Sequence, residues 1–176
     1  LRMQTNSTDI HYLDTRKFSR MAITTDLDSY FENKNLGLEP FDSKLKGQYL
    51  FDIFKHTQRN MKVCLLDQSI VVGIGNIYAD EILYREKIHP LRMARSLSLS
   101  ECERLVESIR FVLNKAIDEG GTTIRSYTSS LGVNGRFQVS LKAYGKEGLE
   151  CERCGRVMQR IKVAGRSSVF CPSCQK

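Results

Sequence analysis

No apolar run in the sequence is long enough to cross a bilayer as a helix, and no charged-then-apolar leader precedes a small-residue cleavage site. A membrane partner is therefore not expected, and an intracellular protein is. Of six cysteines, four fall in two Cys-x-x-Cys pairs near the end, while Cys64 and Cys102 lie singly inside apolar helical patterns. This usage reads as one metal site and two buried thiols in a reducing compartment, not as a disulfide framework. An initiator methionine is missing too: the chain opens Leu1-Arg2-Met3, so a longer protein is expected behind it.

What is present is ordinary in bulk and biased in charge. The 176 residues are 41% hydrophobic and 27% charged, and 27 Lys and Arg face 20 Asp and Glu, for a net charge of +7. A chain of this size buries one moderate core or two small ones. The basic balance favours a polyanion such as nucleic acid over a neutral small molecule.

The chain is organised around Leu65-Leu66-Asp67-Gln68-Ser69-Ile70-Val71-Val72-Gly73-Ile74-Gly75-Asn76-Ile77-Tyr78. Gly73 and Gly75 permit a tight turn with positive φ, and Asn76 is expected to cap the following helix through its side-chain oxygen. The reading is helix, turn, helix. The N-terminus of the second helix carries unpaired N–H groups and a positive dipole end, which suit a phosphate. A Gly-x-Gly that merely lets two helices pack closely is the plainer alternative.

Before this turn, residues 1–25 alternate loosely and read as edge strands with a turn at Thr5-Asn6-Ser7. Asp14-Thr15-Arg16-Lys17-Phe18 sets two cations beside a ring, as a tip entering nucleic acid would, or as an ordinary basic strand end would. Residues 43–55 carry a stripe of Leu45, Tyr49, Leu50, Ile53 and Phe54 at helical spacing. After the interruption at Gln58-Arg59-Asn60, a short apolar helix spans 61–66 with Lys62 at its start. The helix after the glycine turn covers 76–87, with Ile77, Ala79, Ile82 and Leu83 inward and Pro90 preventing continuation. The longest helix begins at Ser98 or Ser100, each with a glutamate three residues on. It turns Cys102, Leu105, Val106, Ile109, Leu113, Ala116 and Ile117 inward and ends at Gly120-Gly121. Residues 122–135 are polar and glycine-bearing and read as a mobile functional loop.

Cys151-x2-Cys154, sixteen residues, then Cys171-x2-Cys174 matches four-cysteine zinc spacing. Four thiolates close a tetrahedral site and leave no open position for catalysis, so one zinc ion with a structural role is expected. Between the pairs, Arg156, Arg160, Lys162 and Arg166 meet no acidic residue up to Cys171. Gly165-Arg166-Ser167-Ser168 resembles a hairpin tip that offers an arginine to a phosphate, or a solvated turn arginine.

Together these elements resemble the formamidopyrimidine-DNA glycosylase family, bacterial enzymes that remove oxidised purines and cut at the abasic site left behind. The resemblance rests on Asp14-Thr15-Arg16-Lys17-Phe18, Leu65-Leu66-Asp67-Gln68, Gly73-Ile74-Gly75-Asn76-Ile77-Tyr78-Ala79-Asp80-Glu81, Ile88-His89-Pro90, Gly120-Gly121-Thr122-Thr123, Tyr144-Gly145-Lys146 and the cysteine quartet with Gly165-Arg166, in family order. It implies a mainly α fold with small β parts. Residues 1–30 would end an incomplete N-terminal β domain, 31–138 would form a helix–two-turn–helix domain with a lesion-recognition loop at 122–137, and 141–176 would form a zinc finger. The partner implied is damaged double-stranded DNA, bound by a monomer in the bacterial cytoplasm beside the nucleoid. Lys62, Asn76 and Arg166 would contact phosphates, with Arg59 and Gly75 on the same DNA-facing side and Arg166 taking part in elimination. Met3, Arg16, Lys17 and Phe18 would fill and flank the gap left by the flipped base, and Arg125 and Tyr127 would lie in the loop that covers it. Wedges of this kind offset the cost of unstacking.

The sequence also departs from the family pattern. The family's nucleophile is an N-terminal proline, next to a catalytic glutamate and supported by a lysine on an early hairpin. None of these has a counterpart here, and no amine in the chain is evidently placed to form the imine. The implied activity, base excision of oxidised purines with β,δ-elimination, is therefore expected of the intact enzyme, and this chain alone is expected to be inactive. The alternatives are an endonuclease VIII-type enzyme acting on oxidised pyrimidines and a non-catalytic zinc-dependent DNA-binding module.

Overall fold

The computed structural model describes residues 2–4, 6–12, 14, 21–32, 34–121 and 137–176. They form two compact units, Leu1–Lys34 and Asn35–Lys176. In the first, β1 (Arg2–Gln4) and β2 (Asp9–His11) form an antiparallel hairpin that pairs Met3 with Ile10. A short helix, α1 (Leu27–Glu32), follows where the sequence pattern suggests only strand remnants. Asp26 starts it, its carboxylate accepting from Ser29 N at 3.0 Å.

Among the described residues, the second unit is built on four α-helices. Helix α2 (Gly47–Phe54) begins four residues later than its apolar stripe suggests, because Asp42 first closes a turn by accepting from Lys44 N at 2.8 Å. Leu45 still reaches the core ahead of the helix. Helix α3 (Met61–Leu66) occupies its expected span, capped by Asn60 accepting from Val63 N. Helix α4 (Asn76–Glu86) ends with Lys87 in the left-handed region, and α5 (Leu99–Asp118) starts with a complete Ser98–Glu101 capping box. Its buried stripe is Cys102, Leu105, Val106, Ile109, Leu113 and Ala116, joined by Val112. Ile117, expected inside, is 64% exposed. It lies about 100° of helix rotation past Ala116, which takes the last core position. Helices α2 and α4 both pack on α5, and α3 packs on α4. Among the described residues no helix is long and apolar enough to cross a membrane.

The glycine turn differs from expectation in one respect. Gly73 is left-handed at φ 82, but Gly75 is extended and is itself the residue before the helix, so Asn76 lies inside α4 and does not cap it. The turn is braced by Gln68, which accepts from Gly73 N at 2.8 Å and donates to the carbonyl of Ile74.

The C-terminal part is a ribbon. Strands β3 (Gln159–Val163) and β4 (Arg166–Phe170) pair antiparallel around Ala164 and Gly165, both left-handed as a two-residue hairpin turn requires. Arg166 therefore opens β4 opposite Val163, one residue past the tip. The four cysteine Sγ atoms of residues 151, 154, 171 and 174 lie within 4.8 Å of one another, with Cys154 to Cys171 at 3.5 Å and Cys151 to Cys174 at 4.0 Å. Four sulfurs at about 2.3 Å from a central zinc sit about 3.75 Å apart, so the quartet fits one tetrahedral ion. Zinc bound there would offset two of the four thiolate charges and tie the two knuckles together. The surrounding chain orients them: Tyr84 on α4 hydrogen-bonds Cys151 Sγ at 3.3 Å, and Cys174 N donates to Cys171 Sγ.

Two expectations follow. Elemental analysis should find one zinc per chain, and full chelation should lower the thermal midpoint. A chain whose melting is unchanged after zinc removal contradicts the site as described. The second concerns acid stability. Arg92 and Ser98 hold Glu101 down to about 2 from an ordinary value of 4.5. Because the folded value is the lower one, this stabilisation is complete above about pH 5 and disappears as pH falls toward 2, on the order of 2 kcal/mol. Urea titrations of Glu101→Gln against the parent should give curves that converge as pH falls through that window.

Candidate nucleic-acid interface

Helix α4 brings the candidate residues together. From Ala79 to Tyr84 every residue is buried, which leaves no solvent for the carboxylates of Asp80 and Glu81. Each is met by another segment. Glu81 accepts from the backbone N–H groups of Lys142, Ala143 and Tyr144, at 2.9 to 3.1 Å. Burial pushes its carboxyl above the ordinary range, and these three donors oppose that shift. Asp80 accepts from Lys62 Nζ at 2.6 Å, from the Ser168 hydroxyl, and from Val169 N at 3.2 Å.

Lys62 is thus not a surface cation. Its side chain and that of Asp80 are both fully buried, and its ammonium also donates to the carbonyl of Asn76 at 3.0 Å. From its position at the start of α3, Lys62 points beneath α4, where a carboxylate and a carbonyl accept hydrogen bonds from its ammonium, and not toward the solvent where a phosphate contact is expected. Burial pushes the Lys62 ammonium down and the Asp80 carboxyl up, and each resists through the other's charge.

Above this pair, Asn76 Nδ2 donates to the carbonyl of Ser167 at 3.0 Å. Asn76 on the first turn of α4 and exposed Arg166 on the ribbon are therefore adjacent to one contact, and the amide keeps a second N–H for another acceptor. No side chain caps α4, and a methyl group added at exposed Gly75 would meet no atom within 4 Å. The helix end is open to an approaching group. A shallow groove on the ribbon, lined by Arg160, Ile161, Lys162, Gly165 and Ser167, runs beside Arg166.

Other candidates lie elsewhere. Arg59 is on the surface but holds Asp67 in an ion pair of 2.5 Å. Met3 is half-buried in the hairpin of the first unit. Arg16, Lys17, Phe18, Arg125 and Tyr127, with most of the 122–137 loop, lie outside the described residues. Sequence reasoning misses Asp80, Ser168 and Gln68 as site-building residues. The available signal is two adjacent acids in the middle of a helix, flanked by apolar residues on both sides.

Comparison with known proteins gives the same answer for both parts of the second unit. Residues 36–128 match the formamidopyrimidine-DNA glycosylase H2TH domain, and 148–176 match the zinc finger found in FPG and IleRS. A formamidopyrimidine-DNA glycosylase of Bacillus cereus is 44% identical over 173 residues, covering 97% of this chain and 63% of that protein. One from Thermomicrobium roseum is 46% identical over 94% of this chain and 58% of its own length. The chain thus spans less than two-thirds of these curated relatives. The solved MutM (Fpg) protein of Thermus thermophilus superposes with a TM-score of 0.89 at 38% identity, over 99% of this chain and 67% of that one. A Lactococcus lactis Fpg in complex with DNA containing an abasic site gives 0.79 at 42% identity, over 84% and 54%. With more than half of its residues matched to the helical domain and the cysteine ribbon matched after it, the chain belongs to the formamidopyrimidine-DNA glycosylase family.

Proposed function

We propose that this chain supplies the DNA-gripping portion of a base-excision glycosylase that removes oxidised purines, with abasic-site lyase activity in the intact enzyme. The observation that carries the reading is the contact between Asn76 and Ser167, which brings the first turn of α4 against the residue next to exposed Arg166. Two donors so placed suit the phosphates of one strand on either side of an extruded nucleotide. Arg166, planar and bidentate, is the better matched to a phosphate near the lesion and to a part in elimination. The family membership supports Met3, Arg16, Lys17 and Phe18 as residues that fill and flank the vacated stack, and Arg125 and Tyr127 as part of a loop over the everted purine. It also supports action as a monomer on DNA in the bacterial cytoplasm. The metal holds the ribbon and takes no part in bond breaking, since four sulfurs fill its coordination sphere.

The chemistry of imine formation needs an amine of lowered pKa, which this sequence does not evidently place. The 176-residue chain should therefore bind a duplex carrying a tetrahydrofuran abasic analogue more tightly than the intact duplex. With a natural abasic site it should yield no borohydride-trapped adduct. Arg166→Ala should weaken binding about tenfold and reduce the slope of log affinity against log salt by about 0.9. Fluorescence anisotropy across a salt series reads both. Equal affinity for the two duplexes, or a trapped adduct, would count against the proposal.

A further inference from the structure

Three successive groups of β4 are tied to α4: the Ser167 carbonyl to Asn76, the Ser168 hydroxyl and Val169 N–H to Asp80. Asn76 and Asp80 stand one helical turn apart on the same face, and Lys62 joins them underneath by donating to the carbonyl of one and the carboxylate of the other. The apolar contacts of the ribbon, through Val169, Met158 and Tyr84, are non-directional and would tolerate sliding. A slip of one residue along β4 moves Arg166 by about 3.3 Å and turns every side chain of the strand over. The hydrogen-bonded set permits one register only.

We infer that Lys62 and Asp80 are positioning residues, which fix the register of β4 on α4 and so place Arg166 beside Asn76 without themselves touching the ligand. This rests on the DNA-binding reading above. It differs from a direct phosphate contact by Lys62 in what it requires of Arg166. A positioning residue acts through Arg166 and has nothing left to lose once that side chain is gone; a contact residue acts independently of it.

The test is a double-mutant cycle on the 176-residue chain, with the tetrahydrofuran duplex as probe. Lys62→Met should weaken binding about tenfold in the parent and by less than about twofold in the Arg166→Ala background, where the salt slope should also stay unchanged. Zinc content should remain one per chain. Should Lys62→Met fail to fold because Asp80 is left unpaired, Lys62→Met/Asp80→Leu removes both charges in favour of apolar packing. It should fold and hold zinc, yet show the same loss and the same dependence on Arg166. Equal losses in both backgrounds, a further fall of about 0.9 in salt slope, or unaltered binding by either variant would overturn the inference. If the parent did not prefer the abasic duplex, or Arg166→Ala had no effect, the DNA-binding reading would fail and this inference with it. A normal Arg166→Ala effect without coupling would sink the positioning role alone.

Discussion

Two carboxylates buried on one helix constrain the rest of the second unit. A charged acid taken out of water needs donors, and removing one partner from such a buried pair typically costs about 3–5 kcal/mol. Helix α4 therefore cannot be completed by apolar neighbours alone. Asp80 requires β4 and Lys62; Glu81 requires the three amides at 142–144. Helical domain and ribbon are joined by these demands as much as by area, and the contact is directional where an apolar one would not be.

The far end of α4 is fastened by the same logic. Arg153 donates to the carbonyls of Tyr84 at 2.6 Å, which also accepts from Lys87 N, and of Arg85 at 3.3 Å, while its guanidinium covers the Tyr84 ring at 4.1 Å. Gln175 accepts from Cys171 N and donates to the carbonyl of Ile88, and Lys176 exchanges backbone bonds with Lys87 and His89. Both cysteine knuckles are thus stitched to α4 or to the turn that follows it. The metal orders the ribbon internally, and α4 decides where the ribbon stands.

Much of this is legible in residue order. The cysteine spacing, the stripes of α2 and α5, the span of α3 and the Ser98 capping box are local patterns, set within a few residues and so readable from them. The start of α2 is not, because apolar periodicity cannot distinguish a helical Leu45 from one delivered by an Asp42 turn. Asn76 misleads because cap preference is statistical, and an extended Gly75 serves as the cap residue instead. Lys62 misleads for a deeper reason. A lone lysine among apolar residues is usually solvated, and its burial depends on Asp80, eighteen residues away, and on Ser168, which meets that acid only once the ribbon docks. No short window of sequence contains those partners together.

Net charge is a weaker guide to the interface than to the class of partner. Several arginines that make the chain basic are spent inside it: Arg110 donates to the carbonyls of Pro40, Asp42 and Leu45, Arg92 clasps Glu101, and Arg153 closes α4. Arg59 and Arg160 hold Asp67 and Glu147. These charges contribute to the long-range field but offer few free donors at contact distance. Among the described residues, the ribbon still leaves Arg156, Lys162 and Arg166 exposed. The strand that carries Arg166 is tied to α4 through a lysine and an aspartate that never see the solvent, so a count of surface charge would omit that pair.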